Sequence, residues 1–507
     1  MKTGYLLVAA FFISFLSIAQ KKPNILIIVS DDHAYQSISA YGSKLMKTPA
    51  IDRLAAEGVK FDRAYVTNSI CGPSRAVILT GKYSHVNGFR DNVTPQFEGR
   101  QQTFPKLLQQ NGYETAWVGK WHLGTKPTGF NFWQILVGQG HYYNPDFLNM
   151  DSTVIRVEGY AANVIQNTAE QWLDNRDTSK PFCLMIGHNA VHRTWFPDTT
   201  DLGAFDKENF HLPANFNDTY SGREAARVQD MSIEKSMRLD YDLKMYDDPG
   251  KMDKSPMINR MNPSQRKKFE SYYNNVYQDF KSRNLTGEEL ARWKYERYMR
   301  DYLATAKGLD RNIGKMLDYL DKHNLAQNTI VIYLSDQGFY LGEHGWFDKR
   351  FMYEESFRTP MLMRYPGKVR PGSVNNDLVL NLDIAPTVLE AAGIARPADL
   401  QGQSFLSLIT SEKQSSAKSR NAIFYHYYEN GEHAVSPHFG IRTNRYKLIR
   451  FYNRVNGWEL YDLDQDPHEM NNLYGKKEYS KVTFRLKQDL RKLIRQYNDS
   501  EAEALMD

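Results

Sequence analysis

Apolar residues along this chain come in short unbroken runs, and each run ends at a cluster of charged or amide residues. Asn24 to Ser30 is the first, ending at Asp31-Asp32-His33. A run of strand length with no polar alternation belongs to a strand covered on both faces, as in a parallel sheet. Tyr113 to Val118, Pro181 to Gly187, Thr329 to Leu334 and Pro360 to Met363 read the same way. Between them the spacing becomes helical. Thr48-Pro49 opens a helix with Ile51, Leu54 and Ala55 on one face and Gly58 as its stop. Phe104 to Gln110, Ala161 to Leu173 and about Asp383 to Ala392 repeat the pattern. Thr286-Gly287-Glu288-Glu289 carries the spacing of a capping box and heads a long helix with Leu303, Ala306, Leu309, Ile313, Met316 and Leu320 on one stripe. Strand and helix alternate as in a doubly wound α/β sheet.

The rhythm breaks twice. From about Pro197 to Asn284 tyrosine, asparagine and charged residues crowd in, which predicts an insertion in a catalytic domain running over residues 20–414. Past about residue 415, Phe424 to Tyr428, Phe439 to Phe451 and Trp458 to Asp462 read as antiparallel strands, followed by a terminal helix from Lys477 to Glu503. A smaller C-terminal antiparallel α+β subdomain is therefore expected over residues 415–507. No internal repeat or low-complexity tract is visible.

Residues 1–19 add a leader. Lys2 precedes an uncharged apolar stretch from Tyr5 to Ala19, with Ser17-Ile18-Ala19 before Lys21-Lys22, the layout of a secretory signal peptide. No other segment approaches the ~20 apolar residues of a membrane span. An exported protein of periplasm or extracellular space is expected. The net charge of +5 is spread over alternating acids and bases, so no nucleic-acid-binding domain is indicated. The chain holds only Cys71 and Cys183. A chain of this length needs no disulfide staple, and Cys183 lies within an apolar run, so a bridge between them is not expected.

The polar residues that close the apolar runs are the candidate chemistry. Asp31 and Asp32 follow one strand, Lys120 and His122 another, His188 and His192 a third, Asp336 and Gln337 a fourth. In an open α/β sheet the carboxyl ends of the strands form the ligand site, so these residues converge. Three carboxylates and an amide oxygen make a hard donor set suited to Ca²⁺ or Mg²⁺ rather than zinc or copper, with calcium favoured. Cys71-Gly72-Pro73-Ser74-Arg75, followed by Leu79-Thr80-Gly81-Lys82, is the remaining signal. Pro73 suits a first helical turn, which puts position 71 near a positive helix end.

With these segments and Gly119 to His122, Asn189 to His192, Ser335 to Gly338, Asp348-Lys349-Arg350, Gly440 to Ile449 and Glu459 to Leu463, the chain resembles type I sulfatases of the alkaline phosphatase superfamily from about Pro23 to Leu473. It is most similar in motif flow to bacterial enzymes like N-acetylglucosamine-6-sulfatases. The resemblance implies a large mixed, mostly parallel sheet flanked by helices. It implies that a maturation enzyme converts Cys71 to formylglycine, whose hydrate attacks sulfur. It assigns one Ca²⁺ to Asp31, Asp32, Asp336, Gln337 and an oxygen of residue 71. Many relatives carry asparagine where this chain has Gln337. Arg75, Lys120 and Lys349 would hold the nucleophile and sulfate oxygens, His192 would protonate the leaving sugar oxygen, and His122 would accept the proton that expels sulfate. His85, Asp348, Arg350 and His438 are candidate sugar contacts, and His33 and His188 read as supporting residues. The implied substrate is a sulfated glycan, with 6-O-sulfated N-acetylglucosamine foremost. Another sulfated sugar, an aryl sulfate, or a phosphodiester or phosphonate monoester is the alternative.

Overall fold

A computed structural model describes residues 22–93, 96–410 and 419–506. The expected leader at 1–19 and the expected boundary near residue 415 lie outside them.

Ten strands form one twisted sheet, in the order Ser373–Asn375, Val59–Phe61, Met361–Arg364, Thr329–Ser335, Asn24–Ser30, Phe182–Gly187, Glu114–Gly119, Phe132–Leu136, Asp146–Asn149 and Val154–Arg156. The central strands Thr329–Ser335, Asn24–Ser30, Phe182–Gly187 and Glu114–Gly119 are mutually parallel. Met361–Arg364 runs antiparallel beside Thr329–Ser335. The sheet is therefore mixed and mostly parallel at its centre.

Alternation along one strand shows how both faces are filled. Leu26 and Ile28 pack with the helices Pro49–Glu57, Ala161–Asn175 and Gly287–Lys322. Ile25, Ile27 and Val29 face the opposite layer, built from Cys71–Thr80, Phe104–Gln110 and Ile384–Ala391. The register matters more for function. Ser30 pairs with Ser335, Val29 with Gly187, and Gly119 with Gly187. The strand ends are level, so the residues that follow each strand emerge side by side at one edge.

A second sheet of four antiparallel strands, Ala422–Tyr427, His438–Thr443, Tyr446–Phe451 and Gly457–Asp462, carries the helix Ser480–Tyr497. Its aromatic core is continuous with Tyr65, Ile70, Trp346, Phe351 and Phe357 of the larger unit. The small sheet thus buttresses the loop that follows Thr329–Ser335.

Three expectations need correction. Thr286 is the N-cap of the long helix, but its side chain makes no capping bond, because Gly287 enters at a left-handed φ of 52°. The capping box lies earlier, where Asn262 and Gln265 cap Pro263–Arg283, a 21-residue helix inside the polar segment. That helix buries only Phe269 and Tyr273, which is why its apolar period was too sparse to read. The terminal helix is broken: Ser480–Tyr497 stops at Asn498, φ 60°, and Asp499 caps Ser500–Ala504 through the Ala502 amide.

Candidate active site

The helix Cys71–Thr80 is buried along its whole length, and Cys71 is its first residue, after the extended Ile70. No side chain caps this end, so its amides and the positive end of the helix dipole are directed at position 71. Gly72 is closely covered: a Cβ there would sit 2.5 Å from Asn92 Oδ1 and would displace that side chain. Ser74 donates its hydroxyl to the Asp336 carbonyl and accepts from Asn381 Nδ2 at 2.8 Å. Arg75, wholly buried, donates through Nε to Asp336 Oδ2 at 2.9 Å and through Nη1 to the Lys120 carbonyl at 3.0 Å. One helix turn therefore ties position 71 to the ends of two strands.

Asp31, Asp32 and Asp336 are fully buried and bring carboxylate oxygens within 4.8 Å of one another; Asp31, Cys71 and His192 meet the same limit. Lys120 Nζ bonds Asp31 Oδ2 and Gln139 Oε1. Lys349 Nζ reaches both oxygens of Asp32 at 2.7 Å. Gln337 donates Nε2 to Asp32 Oδ1, while Gln337 Oε1 and Asp31 Oδ1 are buried without a partner. Desolvation raises every carboxyl pKa here, and the outcome depends on what opposes it. For Asp31, Lys120 with His192 and Arg75 overcomes burial and holds the carboxyl well below the usual range. For Asp32, burial prevails over Lys349, and Asp31 and Asp336 push it up further. Asp336 is pushed up to about 7 by burial and Asp31, against Arg75. Three such groups ionise together only if more positive charge arrives, and two uncommitted oxygens point into the cluster. A hard divalent cation fits this all-oxygen donor set.

The histidines divide by surroundings. His192 donates Nδ1 to the Arg193 carbonyl at 2.7 Å, leaving Nε2 facing Asp32 Oδ2 at 3.9 Å, and keeps a side chain 21% exposed. His122 sits at a left-handed φ of 59°, with Nδ1 buried and unbonded. Burial, then Lys120, lowers its pKa to about 2, so the ring is neutral. Burial and Arg75 likewise lower His188 to about 3. His33 bonds Tyr333 Oη at 2.5 Å beneath the site and supports the strand ends. Asp32, His122, Asp348 and Arg350 all have positive φ, at 58°, 59°, 80° and 97°. Such strain in non-glycine residues concentrates where geometry is functionally constrained.

Asp348 and Arg350 flank Lys349 at the site. Arg350 donates to Tyr427 Oη at 3.1 Å and Glu429 Oε1 at 2.8 Å, while Asp348 pairs with His433 at 3.2 Å. The other two expected sugar contacts do not stand. His438 is fully buried among Phe351, Tyr425 and Phe451, with Nδ1 on the Ser436 carbonyl and Nε2 accepting the Met352 amide. His85 has a side chain 3% exposed and spends both nitrogens on Tyr428 Oη and the Tyr497 carbonyl. Both rings hold the small sheet and its helix in place.

Four residues around the site carried no sequence signal. Asn92 donates to Cys71 Sγ at 3.4 Å, and its own amide bonds Glu429. Gln139 orients Lys120, and His433 joins Asp348 to the Asp230 carbonyl. Each lies in a loop, where position depends on folds of chain distant in sequence.

The site is thus a carboxylate cluster whose donor set fits a hard cation, beside a helix-end residue and ringed by two lysines, an arginine and histidines. Residues 23–394 match the family described as Sulfatase, and residues 342–496 match N-sulphoglucosamine sulphohydrolase, C-terminal. The chain is 48% identical over 491 residues, 95% of its length and 88% of the relative's, to an N-acetylglucosamine-6-O-sulfatase of Bacteroides thetaiotaomicron. It is 25% identical to the N-acetylglucosamine-6-sulfatase of Capra hircus, over 89% of this chain and 80% of that one. A solved structure in complex with its substrate D-glucosamine-2-N,6-O-disulfate superposes with a TM-score of 0.92 at 48% identity, covering 95% of this chain and 99% of the other. The chain belongs to the sulfatase family and is a sulfuric ester hydrolase.

Proposed function

We propose that this enzyme removes the 6-O-sulfate of N-acetylglucosamine or a related glucosamine in a sulfated glycan. The observation that carries the reading is the level register of the central strands, which sets the Asp31, Asp32 and Asp336 carboxylates, Lys120, Lys349 and His192 around the N-terminal end of the helix begun by Cys71. The two relatives named for 6-sulfated N-acetylglucosamine support the sugar.

Asp31, Asp32, Asp336 and Gln337 are the proposed ligands of one calcium ion, and Cys71 is the proposed precursor of formylglycine. When present, the ion supplies charge that polarises the sulfate group, and the aldehyde hydrate supplies a nucleophilic hydroxyl. The chain does the rest. Lys120 and Lys349 hold sulfate oxygens by charge, the interaction that contributes most where charge accumulates in a dry site. Arg75 fixes the nucleophile's end of the helix against Asp336. His192 presents Nε2 to the leaving sugar oxygen; its partly exposed ring lies on the open side of the site, where the departing alcohol must be. His122, neutral in its buried pocket, accepts a proton on the helix side. Asp348 and Arg350 are the proposed contacts to sugar hydroxyls.

Domain limits at 20–414, with the 197–284 insertion, and 415–507 belong to the same proposal, as do maturation by a formylglycine-generating enzyme and export through residues 1–19. Among the described residues no helix is long and apolar enough to cross a membrane. The test is a panel of N-acetylglucosamine-6-sulfate, its 3-O- and galactose 6-O-sulfated counterparts, p-nitrophenyl sulfate and bis-p-nitrophenyl phosphate. The reading predicts the highest kcat/KM on the first. Dominant phosphodiester turnover, or preference for another sulfated sugar, overturns it.

A further inference from the structure

His192 and Gln139 have a second side. Both also line a cleft of about 560 Å³ that leads away from the carboxylate cluster, between the turn at residues 137–142 and the polar segment at residues 238–257. The cleft begins where the leaving alcohol emerges, since His192 stands at the junction. Four bases line it, Arg193, Arg238, Lys251 and Lys254, together with Asp240, His141 and the exposed ring of Tyr241.

These charges differ in how far they are committed. Arg193 is bidentate on Asp242 and is neutralised by it. Arg238 pairs with Asp240, a carboxylate that also lines the cleft, and Lys251 pairs with Asp247. Lys254 is exposed and has no ion-pair partner among the described residues. Arg193 and Arg238 both lie over the Tyr241 ring, at 5.5 and 5.4 Å from its centroid, which keeps that ring upright at the rim. A neutral sugar ring would need none of this charge, whereas a substituent bearing sulfate or carboxylate would.

We propose that this cleft is a second anion subsite, which takes a sulfate or carboxylate on the same sugar or on its neighbour while the 6-O-sulfate occupies the catalytic centre. Lys254 supplies the free charge, with Lys251 and Arg238 completing the field. The preferred substrate is then a multiply charged glycan rather than a monosulfated sugar. This inference rests on the proposed activity.

The experiment compares kcat/KM for D-glucosamine-2-N,6-O-disulfate and N-acetylglucosamine-6-sulfate in the wild type and in a Lys251→Gln, Lys254→Gln double variant. Both lysines are solvent-exposed, so the variant folds. Two exposed charge contacts together contribute about a five-fold preference. The disulfate-to-monosulfate ratio should fall by about that factor, through KM, and the wild-type ratio should decline as salt is raised. A ratio unchanged by the substitutions overturns the subsite, as does an equal loss on both sugars. Failure of the wild type to hydrolyse either 6-sulfated sugar would instead overturn the activity on which the inference rests.

Discussion

Position 71 shows how much one residue's meaning depends on its surroundings. Cys71 and Cys183 are both buried free thiols. They differ in what lies around them: Cys183 packs within an apolar layer of the sheet, where burial pushes its thiol pKa above the ordinary range, while Cys71 sits at a helix N-terminus in a site that also holds Arg75 and Lys349. The acids, lysines and the Cys71 segment were legible in the sequence because each closes an apolar run or opens a helix. The sugar-side residues were not. His438 opens a segment read as a candidate sugar contact, yet strand pairing turns it inward, and Asn92 and Glu429 meet only because two distant loops cross. Replacing His438 with leucine should therefore cost about 1–3 kcal/mol by stranding the Met352 amide, read as a lower Tm with KM on the 6-sulfated sugar retained. A raised KM with an unaltered Tm would place His438 at the substrate after all.

At the scale of elements, the level strand ends explain why residues hundreds of positions apart meet, and this was predictable because parallel strands all present their carboxyl ends at one edge. The long helix within the polar segment at 197–284 was not legible, since it buries only Phe269 and Tyr273, and the segment's other core residues, such as Phe210, Ile233, Met237 and Leu243, are scattered without a helical or strand period. The attachment of the small sheet was equally hidden. His433, from a loop between two of its strands, pairs with Asp348 next to Lys349. Burial alone would lower the histidine's pKa, but Asp348 more than offsets it and the value is raised; Asp348 is held well below its usual range by the opposite effect. A histidine whose folded pKa is raised contributes stability that is complete below about pH 6.5 and disappears as pH climbs through the raised value. His433→Gln should accordingly lower Tm at pH 6, by the equivalent of about 2 kcal/mol, and the gap from wild type should close by pH 9. A gap of constant size across that range would show that the ring acts by packing rather than charge.

For the whole molecule, three buried carboxylates, with Asp31 Oδ1 and the neighbouring Gln337 Oε1 left without partners, are an arrangement that costs stability until a cation fills it. Folding and metal binding are consequently linked. Calcium at one hundred times its Kd should stabilise the protein by about 2.7 kcal/mol, seen as a rise in Tm that a chelator reverses. Asp32→Asn should blunt that rise. A Tm indifferent to calcium and chelator alike would remove the metal from the account. The same cluster, with Lys120, Lys349 and the helix end, gives position 71 its role, and that role is the central claim. The most direct measurement is mass spectrometry of the peptide spanning residue 71, taken from enzyme that is turning over sulfate ester. The account predicts an aldehyde in place of the thiol, in proportion to activity across preparations. Full activity in protein whose Cys71 is wholly unmodified would contradict it.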